Sequence, residues 1–141
     1  MREKLLVSAC LVGENCKYSG GNNYSPAVAA LGEHYELIPV CPEQLGGLPT
    51  PRTPSERVGD KVLTRDGRDV TDAFRRGAEK VLEIALAQGI TRAVLQERSP
   101  SCGWGRIYDG TFTGTLIPGQ GVTAQLLRAH GIAVYGGSQA G

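Results

Sequence analysis

Three of the four cysteines in this chain follow short apolar runs, and that placement limits the folds open to it more than any other feature. Leu5-Leu6-Val7-Ser8 leads into Cys10, Tyr35 to Val40 leads into Cys41, and Ala93-Val94-Leu95 precedes Cys102. Apolar runs of this length suit strands buried on both faces. Helical stretches lie between them. Ser25-Pro26 opens one with a capping serine and a proline at the first helical position, and it ends near Gly32. Thr71 caps a second helix that runs to about Gln88, with Phe74, Ala78, Val81, Leu82, Ala85 and Leu86 on one face and Gly89 as its stop. A third runs from Val122 to His130 before Gly131, and Ile132 to Tyr135 is the last strand. This order predicts one α/β domain over residues 1–141, a small, largely parallel sheet flanked by helices. Such crossovers leave the carboxyl ends of the strands on one edge, where ligands bind. Cys10, Cys41 and Cys102 all fall at that edge.

The connecting segments are rich in turns. Pro42 to Arg57 holds Pro42, Pro49, Pro51, Pro54 and the pair Gly46-Gly47, which describes a long ordered loop or lid. Asp66-Gly67, between Val62-Leu63 and Val70, and Asp109-Gly110, after Tyr108, are hairpin-turn dipeptides. Gly136 to Gly141 reads as a frayed end. Much of the surplus of 20 glycines and 8 prolines follows the strands that lead to the cysteines, so it reads as loops shaped around a compact site.

Charge and composition narrow the partners. With 15 Lys+Arg against 14 Asp+Glu and no run of like charges, a broad face for a long nucleic acid is not expected, and 6% aromatic content leaves little for base-stacking platforms. No run reaches the length of a membrane span, and the charged lead Met1-Arg2-Glu3-Lys4 is unlike a secretory signal. A cytoplasmic location follows as the expectation, and there thiols or metal ligands are favoured over disulfides. Closely paired zinc ligands and a C-x-x-C motif are both absent; Cys10 and Cys16 enclose five residues. Iron–sulfur clusters tolerate dispersed thiolates, and three cysteines on a [4Fe-4S] cube leave one iron open as a Lewis acid for a soft atom. Spacing alone leaves three readings: a cluster enzyme, a non-catalytic metal- or cluster-binding module, and a thiol–disulfide protein using Cys10 and Cys16.

Three blocks add a resemblance. Ser8-Ala9-Cys10-Leu11-Val12-Gly13-Glu14-Asn15-Cys16-Lys17-Tyr18-Ser19-Gly20, then Cys41-Pro42-Glu43-Gln44-Leu45-Gly46-Gly47-Leu48-Pro49-Thr50-Pro51-Arg52, then Ser99-Pro100-Ser101-Cys102-Gly103 with Tyr108-Asp109-Gly110-Thr111-Phe112 resemble, in order and over nearly the whole chain, a bacterial family that includes thiouracil desulfidases. Ser19 departs from it, standing where many members carry Asp. The resemblance implies a [4Fe-4S] enzyme, ligated by Cys10, Cys41 and Cys102, that desulfurises thiouracil or a thiouridine monophosphate salvaged from tRNA turnover. In that picture an open iron takes up the thiocarbonyl sulfur, water adds at the ring carbon, and sulfide and uracil or UMP leave without redox turnover. Cys16 is left to line the site, serve as an auxiliary thiol or act as a reserve ligand.

For the remaining residues the resemblance implies catalytic roles for Glu43, Ser99 and Ser101. Glu43 is expected to act as base toward the water or to anchor the uracil N–H. Ser99 and Ser101 are expected to hold the substrate carbonyl or donate to the cluster, with turn capping as the plainer alternative, and Ser8 is similar. A phosphate would take its seat among the Gly20-Gly21-Asn22-Asn23 loop, Lys17, Arg52 and the amides near Gly121, with Arg52 the first choice. His34 and His130 read as helix-end residues and Trp104 as a packing anchor.

Overall fold

The computed structural model describes residues 2–137. In chain order it contains β1 (Lys4–Ser8), α1 (Pro26–Ala30), β2 (Glu36–Val40), α2 (Pro42–Leu45), β3 (Ser55–Val58), β4 (Lys61–Thr64), α3 (Thr71–Ala87), β5 (Arg92–Leu95), β6 (Arg106–Tyr108), β7 (Leu116–Pro118), α4 (Val122–Ala129) and β8 (Ala133–Gly136). Four strands form a parallel sheet in the order β2-β1-β5-β8. Leu6 stands between Ile38 and Ala93, and Val94 pairs with Tyr135. The sheet begins with a central strand, crosses to β2, and returns to the other side, so all four carboxyl ends share one edge.

Each face buries its own core. Leu6, Ala93, Leu95 and Val134 meet Val81, Ala85, Ala124 and Leu127 of α3 and α4. Leu5, Val7 and Val94 pack with Leu11 and Val28 on the opposite face. Leu6, Val7, Val81 and Leu127 are fully buried, and each such side chain contributes about 1.5–3 kcal/mol relative to exposure. Among the described residues no helix is long and apolar enough to cross a membrane.

Local chemistry explains the differences from expectation. Ser25 caps α1, accepting from the Val28 amide, as read. Thr71 does not cap α3: Val70 is the N-cap, the Asp69 carboxylate accepts from the Thr71 amide at 2.9 Å, and the Thr71 hydroxyl accepts from Val62 at 2.9 Å, stitching β4 to the helix. Phe74, Ala78, Val81 and Ala85 form the buried stripe of α3, whereas Leu86 is 60% exposed, since it lies roughly 110° around the helix from that stripe. The Pro42–Arg57 segment is more ordered than a loop or lid, because it contains α2 and the start of β3. β3 pairs with β4 around Gly59-Asp60, and the Asp66-Gly67 turn closes a second, shorter pairing in which Leu63 opposes Asp69. β6 and β7 form the second hairpin, closed by the loop that carries Asp109-Gly110. Gly136 ends β8 in regular structure, and the rest of the expected frayed end falls partly outside the described residues, at 138–141.

Glycine permits two close approaches that position the cysteine loops. A Cβ on Gly77, in the middle of α3, would meet the Pro42 carbonyl oxygen at 1.9 Å, and one on Gly46 would meet the Ala73 carbonyl oxygen at 2.0 Å. The two helices therefore touch backbone to backbone, which sets α2 and the preceding Cys41 against the sheet edge. Likewise a Cβ on Gly121 would lie 2.3 Å from the Ser101 carbonyl, so only glycine lets α4 start directly against the Cys102 loop.

Candidate active site

The carboxyl edge of the sheet opens into a cavity of about 510 Å³ whose lining includes all four cysteines. Cys10 lies in the 3-10 helix Ala9–Val12 that follows β1, and Cys41 is the N-cap of α2 directly after β2. Cys102 lies on the loop between β5 and β6. Cys16 enters from the loop after the 3-10 helix. None of the four is in a disulfide.

The thiols differ sharply in chemistry because burial and their hydrogen-bond neighbours act on each differently. Hydrogen bonding with Cys10 and Cys41, together with burial, pushes the Cys16 thiol far above the usual range, while hydrogen bonding with Cys16 lowers each of the other two; Cys41 Sγ also lies 3.7 Å from the Cys16 carbonyl oxygen. Hydrogen bonding with the Cys16 thiol draws Cys41 down to about 7 against the opposing effect of burial. Cys10 is lowered first by Cys16 and further by Asn23, whose Nδ2 is 3.7 Å from its sulfur. Cys102 moves the other way, since complete burial raises its thiol more than a hydrogen bond from Ser8 lowers it. Among the described residues no trio of His, Cys, Asp or Glu converges on a point that one ion could fill. A cluster, with its irons at separate corners, asks instead for thiolates set around a cavity, and Cys10, Cys41 and Cys102 line one.

Glu43, in the first turn of α2, also lines the cavity, and its carboxylate is paired with Arg52. Arg52 is almost wholly committed to its own chain. Its Nη1 donates to the Pro49 carbonyl at 3.1 Å and the Thr50 hydroxyl at 2.9 Å, and its Nη2 donates to Glu43 and to the Cys16 carbonyl at 2.9 Å. The guanidinium thus braces Glu43 and the Cys16 loop, where the sequence had suggested a phosphate seat. The amides near Gly121 are also taken: Val122 and Thr123 donate to the Pro100 and Ser101 carbonyls at 2.8 Å, and Gly121 donates to Gly103 at 2.8 Å.

The serines separate into distinct roles. Ser99 Oγ accepts from the Ser101 and Cys102 amides at 3.0 and 3.1 Å, which shapes the Cys102 turn and leaves its own proton free to donate into the cavity. Ser101 is buried and bonded to Thr123 at 2.8 Å, tying the loop to α4. Ser8 is buried too; its hydroxyl accepts from the Gln96 amide at 2.8 Å and donates to Cys102, so it reaches a thiol rather than substrate. Lys17 donates to Asn23 Oδ1 at 3.1 Å.

Two features escaped the sequence reading. Buried Glu56 accepts from the Gly110 and Phe112 amides at 3.0 and 3.1 Å, strapping the β6–β7 loop beside the cavity. No local pattern marks it, because its partners lie far along the chain. Arg65 and Arg98, exposed cations on the cavity lining, make no ion pair with a described carboxylate, and Arg65 stacks on Phe112 at 5.5 Å. Elsewhere the bland readings hold: His130 Nδ1 is 3.0 Å from the Leu126 carbonyl, and Trp104 packs on the core under the Arg128 guanidinium at 3.8 Å.

Fold and cavity together define an α/β protein with a thiol-rich site at the carboxyl edge of a parallel sheet. Residues 5–139 match the family model described as 2-thiouracil desulfurase, and the chain belongs to that family. It is 41% identical over 140 aligned positions to the uncharacterized protein YbbK of Bacillus subtilis (strain 168), covering 92% of this chain and 93% of that protein. A solved structure of the [4Fe-4S]-dependent thiouracil desulfidase TudS is similar at 51% identity with a TM-score of 0.92, covering 98% of this chain and 93% of the other.

Proposed function

We infer that this chain is a [4Fe-4S]-dependent thiouracil desulfidase, exchanging the thiocarbonyl sulfur of a thiolated uracil for oxygen from water. The thiocarbonyl and water become a carbonyl and hydrogen sulfide, so the reaction needs no external electrons. The observation that carries this reading is the meeting of Cys10, Cys41 and Cys102 with Glu43 and Ser99 in one cavity.

Cys10, Cys41 and Cys102 are the ligand set, and the neighbouring Cys16 favours the ionised form of Cys10 and Cys41 in the apoprotein. When bound, a cluster held by three protein thiolates supplies one open iron as a Lewis acid for sulfur. The chain does the rest. Glu43 Oε takes a proton from the attacking water, with Arg52 fixing the carboxylate's direction. Ser99, its oxygen already filled by two amides, donates its proton to a ring carbonyl oxygen. The finer reading is a thiouridine monophosphate substrate, its phosphate on the unpaired Arg65 and Arg98, in a reducing cytoplasm where free thiols persist. A near-neutral net charge of +1 fits a small ligand better than a long nucleic acid.

Anaerobic reconstitution followed by sulfide and product analysis tests this. Iron-loaded protein releases sulfide from thiouracil or its monophosphate, and the monophosphate loses its advantage when Arg65 and Arg98 are both changed to Gln. Colourless protein holding stoichiometric zinc and no iron would contradict it.

A further inference from the structure

We propose that Asn23, oriented by Lys17, is a positioning residue that holds the Cys10 sulfur as a cluster ligand. The inference rests on the iron–sulfur reading of the cavity. Asn23 sits on the loop before α1, and its backbone amide donates to the Cys10 carbonyl at 2.9 Å, which fixes it beside that cysteine. Its side chain is held at both ends. Oδ1 accepts from Lys17 Nζ at 3.1 Å, and Nδ2 lies 3.7 Å from Cys10 Sγ. An ammonium can only donate, so the amide oxygen must face Lys17 and the amide N–H must face the sulfur. The reverse orientation would set donor against donor at one end and lone pair against thiolate at the other.

Lys17 is itself placed by a tight turn, its amide donating to the Gly21 carbonyl at 3.2 Å and its carbonyl accepting from Gly20 at 2.9 Å. Positive charge on Nζ polarises the amide and strengthens the N–H aimed at sulfur. The relay therefore brings a cation's influence to Cys10 while keeping the ammonium off the thiol. Outer-shell partners of metal ligands commonly change metal affinity by about 10–100-fold, and hydrogen bonds to ligand sulfurs raise cluster potentials. The same geometry accounts for Lys17 without a substrate contact.

Reconstituted wild type, Asn23→Ala, Lys17→Met and the double variant are compared by the rate of iron release to a ferrous chelator and by cluster reduction potential. Asn23→Ala releases iron about tenfold faster than wild type and has a lower potential. Lys17→Met leaves the amide in place and shifts both readouts the same way by less, and Lys17→Arg restores them. In the Asn23→Ala background, Lys17→Met adds nothing, because the relay is already cut. Wild-type rates and potential in Asn23→Ala overturn the proposal. If that variant fails to fold, Lys17→Met decides: an unchanged rate and potential overturn the relay. Full additivity in the double variant also overturns it. Wild-type protein that takes up no cluster overturns the iron–sulfur reading itself, a result distinct from equal behaviour of loaded variants.

Discussion

One buried guanidinium, that of Arg52, bonds both the Glu43 carboxylate and the Cys16 carbonyl oxygen through the same Nη2. The base proposed for water activation and the loop carrying the fourth thiol thus share one cation. Its side chain is 6% exposed and that of Glu43 19%, so the pair is shielded enough for geometry to matter.

Removing the carboxylate separates catalysis from assembly. Glu43→Gln keeps its iron and loses activity by about 10²–10⁴-fold, the range for positioned acid–base groups. Arg52→Met strands the carboxylate and destabilises the fold by about 3 kcal/mol, whereas Arg52→Lys, which keeps the charge without the fork, falls between. Iron content, denaturant midpoints and kcat measured together check this.

Serine substitution sorts the cysteines. Cys10→Ser, Cys41→Ser and Cys102→Ser each prevent stable cluster assembly, while Cys16→Ser holds four irons per chain after reconstitution, as the wild type does. Iron and acid-labile sulfide assays check this, and loss of iron in Cys16→Ser alone among the four would reverse the assignment.

Alkylation of the apoprotein reads the thiol chemistry directly. Cys41 is half-buried with its thiol drawn to about 7, so its modification slows about tenfold per pH unit as pH falls below that value and levels off above it. Cys102, buried and pushed upward, stays a protonated thiol and resists modification while the protein is folded. Mass spectrometry of peptides from a timed iodoacetamide reaction gives both rates.

Gly77→Ala tests how the Cys41 loop is placed. The new Cβ would collide with the Pro42 carbonyl, and α2 must shift, at about 1–3 kcal/mol or more. Stability and iron retention both fall. An alanine at Gly59, where nothing lies within 4 Å of a Cβ, strains only its own φ of +60° and leaves iron retention unchanged.

The strands and the cysteine edge were legible because parallel strands buried on both faces write continuous apolar runs, as Leu5-Leu6-Val7 does. Thr71 misled because a threonine before an apolar periodic run has the same appearance whether it caps a helix or accepts from a strand. The Pro42–Arg57 segment misled because α2 is too short to show a period, and its position comes from the Gly46 and Gly77 contacts with α3. In the site, the thiols and Glu43 could be read from motifs. The roles of Ser99 and Ser101 could not, because two serines in one tripeptide differ only in which way the folded turn points them. Arg52 has the chemistry of a phosphate ligand, and only its bonds to Glu43 and Cys16 reveal it as a brace.

Turnover in heavy-oxygen water bears most directly on the desulfidase mechanism. Reconstituted protein, given thiouracil or its monophosphate without a reductant, is expected to release one sulfide per product and to place one labelled oxygen at the former thiocarbonyl carbon. Substrate that binds the loaded protein with neither sulfide released nor label incorporated would contradict the enzymatic account and leave a binding module in its place.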